Sequence, residues 1–214
     1  MSYLILYRSD FFVIVDKPAG ILSVPSRQGE ADPRPVLGWE LEKQFGARLW
    51  PVHRLDEEVS GAILFAFSGP AHKAANTWFE NRLVEKTYEA LSLGDGGMKE
   101  GELFTWRCKM ARGKKRAYIH DKIGKESCTE GKFIGMVKDS FYWKLYPKTG
   151  RSHQLRFEMA RHSAPILGDL LYGGPQWSRP GIGLRSVGLD FSQIPAEDRW
   201  GLPARIDAQS LRDM

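Results

Sequence analysis

One stretch of the 214-residue chain gathers groups that can do chemistry: Val52-His53-Arg54-Leu55-Asp56-Glu57-Glu58-Val59-Ser60-Gly61. A carboxylate, Asp56, follows a guanidinium by two residues and an imidazole by three. A carboxylate kept ionised by a neighbouring cation can act as a base or a nucleophile, whereas an arbitrary loop Asp usually makes a turn hydrogen bond to nearby backbone. After the small-residue pivot Ser60-Gly61 comes the apolar run Ala62 to Phe67. That run is too short for an ordinary helix and reads as a buried strand. The polar segment is then a loop held in place by that strand, a common mounting for catalytic groups.

A second chemical feature is basic. Arg107, Lys109, Arg112, Lys114, Lys115 and Arg116 fall within ten residues that contain no acid. Two readings stay open: a solvated hairpin, or a loop that tracks the phosphates of a nucleic acid and releases their counterions. Other chemistries lack support. No GxGxxG opens a helix after a strand and no phosphate-binding P-loop is present. The histidines at 53, 72, 120, 153 and 162 show no zinc spacing, with each other or with Cys108 and Cys128. A serine nucleophile would want a GxSxG elbow, and the chain has none. What remains is a loop carboxylate, cations to pair with it and aromatic rings for stacking. Acid–base chemistry on a base or a sugar fits that set without being singled out by it.

The elements that must position these groups follow from periodicity. Tyr3 to Tyr7 and Phe11 to Val15 read as strands, followed by the turn Asp16-Lys17-Pro18-Ala19-Gly20. Residues 25–35, rich in Pro, Gly and charge, read as a mobile surface loop. Leu37 to Phe45 has the spacing of a short helix, and Gly69 to Arg82 that of an amphipathic one with Ala71, Ala75, Trp78 and Phe79 on its apolar face. Lys86 to Leu91 alternates as a strand; Cys128 to Val137 and Ser140 to Tyr146 form two more around a Lys138-Asp139 turn. The spacing predicts a helix from Gly150 to Arg161 with Leu155, Met159 and His162 on one stripe. Pro165 to Leu167 is extended, a Gly-rich loop follows through Gly174, and Leu184 to Phe191 is a last strand. Strands and helices mix without strict alternation, which predicts an α+β fold.

Composition sets the frame. Apolar content of 42% and charged content of 27% are those of a globular chain able to bury a core. The net charge of +5 permits a polyanionic partner without demanding one. Two cysteines without CxxC spacing suggest a reducing compartment. The start lacks a basic leader with a cleavage signature, and no apolar run is long enough to span a membrane. The expectation is a cytoplasmic protein with no membrane partner.

Read together, several blocks resemble the RluA-type family of pseudouridine synthases. Asp16-Lys17-Pro18-Ala19-Gly20 resembles its first motif, and His53-Arg54-Leu55-Asp56 with Ser60-Gly61 downstream resembles its catalytic motif. Lys86-Thr87-Tyr88 resembles its lysine-x-tyrosine motif. Gly150-Arg151-Ser152-His153-Gln154-Leu155-Arg156 resembles its GR(T/S)HQ(I/L)R motif, followed by Ile166-Leu167-Gly168-Asp169 and Tyr172-Gly173 at the family's distance. Glu158, Arg185-Ser186 and Ile194 depart from the family's usual residues.

The resemblance implies a mixed, mainly antiparallel central sheet split by an active-site cleft, with flanking helices. It implies one catalytic domain over residues 1–214 without an added N-terminal RNA-binding domain. The activity it implies is isomerisation of uridine to pseudouridine in RNA (ribosomal or transfer), by a monomer using neither cofactor nor metal. By motif, Asp56 is the catalytic carboxylate, Tyr88 the ring against the flipped uracil, and Arg156 the basic partner of Asp56. Arg54 fills the gap left by the extruded base, and His53, Arg151, His153 and Gln154 join it in binding substrate. Lys109, Arg112, Lys114, Lys115 and Arg116 are the expected contacts to the RNA backbone. Whether Asp56 attacks C1′ of the sugar, attacks C6 of the base or removes a sugar proton is open. Two rivals stand beside this reading: a non-catalytic RNA-binding protein, which would not need Asp56, and a nucleoside glycosidase. The latter would need two carboxylates flanking one bond, and Glu57 and Glu58 are mere neighbours of Asp56 in one loop.

Overall fold

A computed structural model describes residues 2–214. In chain order its strands are β1 (Leu4–Arg8), β2 (Phe12–Lys17), β3 (Trp50–Pro51), β4 (Ser60–Ala66), β5 (Glu85–Ser92) and β6 (Leu103–Arg112). They continue with β7 (Ala117–Ile119), β8 (Lys125–Val137), β9 (Ser140–Pro147), β10 (Leu184–Asp190) and β11 (Arg205–Asp207). The helices are α1 (Leu37–Phe45), α2 (Gly69–Glu80) and α3 (Gln154–Arg161). The class is α+β with mainly antiparallel strand pairing, as expected. Among the described residues no helix is long and apolar enough to cross a membrane. The chain divides into two compact units: residues up to Glu85 with Ser186–Gln209, and Lys86–Arg185 with Ser210–Met214.

In the first unit β1 pairs with β2 and β2 with β4; β3 is added to β4, and β11 to β10. Phe12 and Ile14 of β2 and Ala62, Leu64 and Ala66 of β4 bury one face against Ala71, Ala75 and Trp78 of α2. Val13, Val15, Ile63 and Phe65 are equally buried on the alternate face. Burial on both faces is why β4 reads as an unbroken apolar run. Each buried Val, Leu, Ile or Phe side chain among these contributes roughly 1.5–3 kcal/mol. Helix α2 starts where Ser68 caps it, accepting a hydrogen bond from the Ala71 amide at 3.3 Å. Helix α1 ends at Gly46, which takes a left-handed φ of 61°.

In the second unit the strand order is β5, β9, β8, β6, β7. Its helix, α3, is unusual. Five of its eight residues are buried, and three of those five are Gln154, Arg156 and Glu158. Polar groups are buried only with partners, so this helix is built for a site as much as for a core.

Several expectations shift. Asp16 and Lys17 belong to β2, in register with Ala62 and Gly61, so the predicted turn begins two residues later. Ser60 and Gly61 likewise lie inside β4 and do not precede it. Helix α2 stops at Glu80, just before Arg82 adopts φ 61°. Helix α3 begins at Gln154, not at Gly150, because His153 has φ 58° and a helix cannot run through it. The loop 25–35 is pinned near its end: Arg34 forks onto Asp32 and reaches Glu57 Oε2 at 2.6 Å. That fork holds the Asp32 carboxyl well below the usual range. The basic run is the end of β6, a turn and the approach to β7, while β3, β7 and β11 have only two or three residues each and are too short to show a period.

Candidate active site

Asp56 sits half-buried in the loop between β3 and β4, and the residue before it is clamped. The buried Ser23 hydroxyl donates to Leu55 O at 2.8 Å and accepts from the Leu55 amide at 3.1 Å. The residue after it is held from below. The fully buried Lys17 ammonium donates to Glu57 O at 3.2 Å, and also to Pro18 O at 3.0 Å and Ile21 O at 2.9 Å. Burial pushes Lys17 down to about 8, against the pull of the Asp56, Glu57 and Glu58 carboxylates. The Gly20 amide donates to the same Glu57 carbonyl at 2.8 Å. The first motif is therefore a cradle for the Asp56 loop. Where the loop enters β4, Gly61 has φ 113°, and a Cβ there would lie 2.1 Å from Ser186 O. Only glycine fits.

His53 is committed to the same mounting. Its Nε2 accepts from the Leu64 amide at 3.2 Å, and its ring stacks on Phe79 of α2 with centroids 5.1 Å apart. Arg54 is exposed on the loop surface.

In the second unit Tyr88 is half-buried on β5, opposite Leu145 of β9, and shares a strand face with Lys86. Burial pushes the Lys86 ammonium down to about 8. On the other face of β5, the buried Glu89 carboxylate accepts from Ser210 Oγ at 2.7 Å and the Leu211 amide at 2.6 Å. The C-terminal turn is thereby tied next to Tyr88 in sequence.

Arg156 is 2% exposed and forks onto Asp169, itself 1% exposed, with Nε–Oδ2 at 2.7 Å and an Nη2–Oδ1 bond at 2.9 Å. A bidentate pair of this kind fixes the guanidinium plane. Its Cζ lies 5.6 Å from the centroid of the Tyr172 ring. The loop bearing Asp169 turns tightly: a Cβ at Gly174 would lie 1.9 Å from Ile166 O. Gln154 is buried and fully used. It accepts from Thr149 Oγ1 at 2.7 Å and the Arg151 amide at 2.9 Å, and donates to Cys128 O at 3.0 Å and Thr129 Oγ1 at 2.9 Å. Arg151 Nε donates to Glu126 O at 2.9 Å. His153 Nδ1 lies 3.1 Å from the Tyr172 hydroxyl, and Arg112 Nη2 lies 3.2 Å from His153 Nε2. Glu158, one of the departures from the family pattern, is wholly buried and holds Cys108 Sγ at 2.9 Å and Arg161 Nη2 at 2.8 Å. Burial pushes the Cys108 thiol up to about 12.

The expected RNA-backbone cations are all exposed but do not form one face. Trp106 and Met110 are buried on one side of β6, and Arg112 continues their phase. Arg107 and Lys109 point the other way, with Lys109 directly opposite Glu126. Lys114, Lys115 and Arg116 form the turn between β6 and β7. Motif reading assigned no role to Lys17, Ser23, Asp169 or Tyr172. Asp169 and Tyr172 had a signal, a carboxylate and a phenol three apart inside a glycine-bounded stretch; Ser23 had none.

A family model described as RNA pseudouridylate synthase matches residues 11–161. The chain belongs to that family. Within it, the chain is of the RluA type, with RluA-named relatives similar over most of its length. One is the dual-specificity RNA pseudouridine synthase RluA of Haemophilus influenzae, 34% identical over 80% of this chain and 78% of that protein. Another is tRNA pseudouridine synthase C of Pasteurella multocida, 32% identical over 81% of this chain and 75% of that protein. Among solved structures, human RNA pseudouridylate synthase domain containing 1 superposes with a TM-score of 0.69 at 27% identity, covering 89% of this chain and 78% of that one.

Proposed function

We propose that this RNA pseudouridine synthase isomerises specific uridines of ribosomal or transfer RNA, with Asp56 as its catalytic carboxylate. The observation that carries the assignment is the mounting of Asp56, whose two neighbours are each fixed through backbone atoms by a buried side chain, Leu55 by Ser23 and Glu57 by Lys17. A reacting group must be held to a fraction of an ångström, and this is how a loop achieves it. The uridine leaves its stack to be reached. Tyr88 packs on the extruded uracil, and Arg54, exposed on the same loop as Asp56, fills the vacancy with a planar guanidinium that can stack and donate. Arg156, assigned by motif as the basic partner of Asp56, would favour the ionised carboxylate against desolvation. The base is detached from C1′, turned and rejoined through C5; the C5 proton is lost and N1 gains one. No electrons change hands, so no redox cofactor is called for. His53, Gln154 and Arg151 act in substrate binding through the loops they hold, and Arg112, Lys114, Lys115 and Arg116 meet RNA phosphates. The protein acts as a cytoplasmic monomer with a single catalytic domain.

The test is tritium release from RNA carrying 5-tritiated uridine, with pseudouridine identified in the digest. Asp56→Asn keeps the shape and loses the charge. It should bind RNA as the parent does while turnover falls by roughly 10²–10⁴-fold, the range for removing an acid–base group. Turnover within tenfold of the parent would overturn the assignment of Asp56. Free uracil as product would favour a glycosidase, and unchanged RNA a binding protein.

A further inference from the structure

We propose that Tyr172 is a positioning residue for this reaction, setting Arg156 in its working orientation and tying it to the base of the basic hairpin. The proposal rests on the pseudouridine synthase reading above and concerns the second unit alone. Three contacts converge on Tyr172. Its hydroxyl accepts from the Ala117 amide at 2.7 Å. His153 Nδ1 lies 3.1 Å from the same oxygen, and the ring faces the Arg156 guanidinium at 5.6 Å.

The direction of the hydrogen bonds follows from chemistry. Arginine only donates, so at 3.2 Å from Arg112 Nη2 the Nε2 of His153 is an acceptor. The ring proton then sits on Nδ1 and is given to the tyrosine oxygen. The order is Arg112 to His153 to Tyr172, with Ala117 as the second donor to the phenol. Burial keeps the phenol protonated further into alkali than usual, so the hub is neutral.

Geometry gives the chain of contacts its use. Arg112 and Ala117 are register partners at the base of the turn that carries Lys114, Lys115 and Arg116. One is fastened to His153 and Ser152, the other to Tyr172. His153 holds a left-handed φ of 58°, a conformation that costs a non-glycine residue about 1 kcal/mol or more and persists only where surroundings enforce it. Asp169 fixes the guanidinium plane of Arg156 along one edge, and the Arg156 Cζ lies over the Tyr172 ring at 5.6 Å, within cation–π range, so the ring is a second restraint on it.

The experiment uses single-turnover and steady-state pseudouridine formation on a transcript containing a modified site. Tyr172→Phe keeps the ring and loses both hydrogen bonds to the hydroxyl. Its kcat should fall roughly tenfold, the order expected for two neutral hydrogen bonds, with KM within about twofold of the parent, as expected for a group that acts on the chemical step. Tyr172→Leu also loses the ring and should fall further. His153→Ala removes one of those two hydrogen bonds and should fall less than Tyr172→Phe, and the double variant should lose less than the sum of the two, because the His153–Tyr172 contact is already broken in each. His153→Asn keeps a donor near the Nδ1 position and should recover most of the rate. That pair keeps the test open if a tyrosine variant misfolds. A Tyr172→Phe protein with parental kcat, or one whose KM alone rises, overturns the proposal, as does additive loss in the double variant. A parent enzyme that forms no pseudouridine sinks the underlying function and the proposal with it.

Discussion

The Asp56 loop and the Arg156 helix solve the same problem in opposite ways. Around Asp56 the restraints fall on main-chain atoms: Ser23 grips both polar groups of Leu55, and Lys17 and the Gly20 amide share the Glu57 carbonyl. Around Arg156 the restraints fall on the side chain itself, through the Asp169 fork and the Tyr172 ring. If Asp56 is the reacting group proposed above, a loop held by the peptide bonds on either side leaves its carboxylate oxygens available. A guanidinium proposed only to supply charge and direction can be gripped directly. The difference also predicts where damage will be greatest, because breaking a buried ion pair leaves a charge behind, whereas cutting a backbone tether leaves only a dipole.

The largest effect should come from Asp169→Asn. Arg156 and Asp169 are 2% and 1% exposed, and the substitution leaves the guanidinium buried beside a neutral amide. Breaking such a pair costs about 3–5 kcal/mol, so chemical denaturation should show a midpoint well below the parent's. Arg156→Met with Asp169→Leu, which removes both charges, should recover much of that loss in stability while abolishing activity. A single Asn variant as stable as the parent would remove the contrast between the two regions.

A middle-sized effect with a definite sign should come from Lys17→Met. Lys17 lies near 8 in the fold against 10.5 for the free group. Between those values the unfolded chain holds the extra proton, so the parent gains stability as pH rises through the window. The Met variant loses three hydrogen bonds, worth about 1–3 kcal/mol together near neutrality, and lacks that alkaline gain. The gap between parent and variant should therefore widen from pH 7.5 to pH 10. Lys86, also pushed to about 8, is common to both proteins and cancels in the difference. Urea titrations at the two pH values check the sign, and a gap that narrows would put Lys17 in a different setting.

These contrasts explain what could be read from the sequence and what could not. The apolar run of β4 and the Ala71, Ala75, Trp78 stripe of α2 are statements about water, and local pattern reports them faithfully. Helix α3 defeats the same reading, because Gln154, Arg156 and Glu158 are buried by partners up to 50 residues away. No local period records a distant partner. The β6 strand was hidden by its own charges: alternation places Trp106 and Met110 inward while Arg107 and Lys109 face water, and a basic run conceals that rhythm. Motif order singled out Asp56, Tyr88 and Arg156 as candidates without saying what holds them. Ser23, 32 residues from Leu55, is a serine like any other until the chain folds.

The smallest effect, and the most direct probe of the Asp56 mounting, should come from Ser23→Ala. Ser23 is 3% exposed and its hydroxyl serves both the amide and the carbonyl of Leu55, so alanine leaves two main-chain groups unpaired in a dry place. The lost hydroxyl no longer has to be desolvated, which offsets part of the loss, and the net cost should be about 1–2 kcal/mol. Lys17 still holds Glu57 from the other side, so the loop should loosen at Leu55 without leaving its place. Amide exchange at Leu55 should accelerate while exchange in the middle of β4, at Ile63 and Leu64, stays slow. RNA affinity should be unchanged and turnover should fall roughly three- to tenfold, as expected when a reacting group is held less tightly. If Leu55 exchanges at the parental rate and turnover is intact, the backbone grip at Ser23 does not position Asp56, and the contrast with Arg156 narrows to the lysine alone.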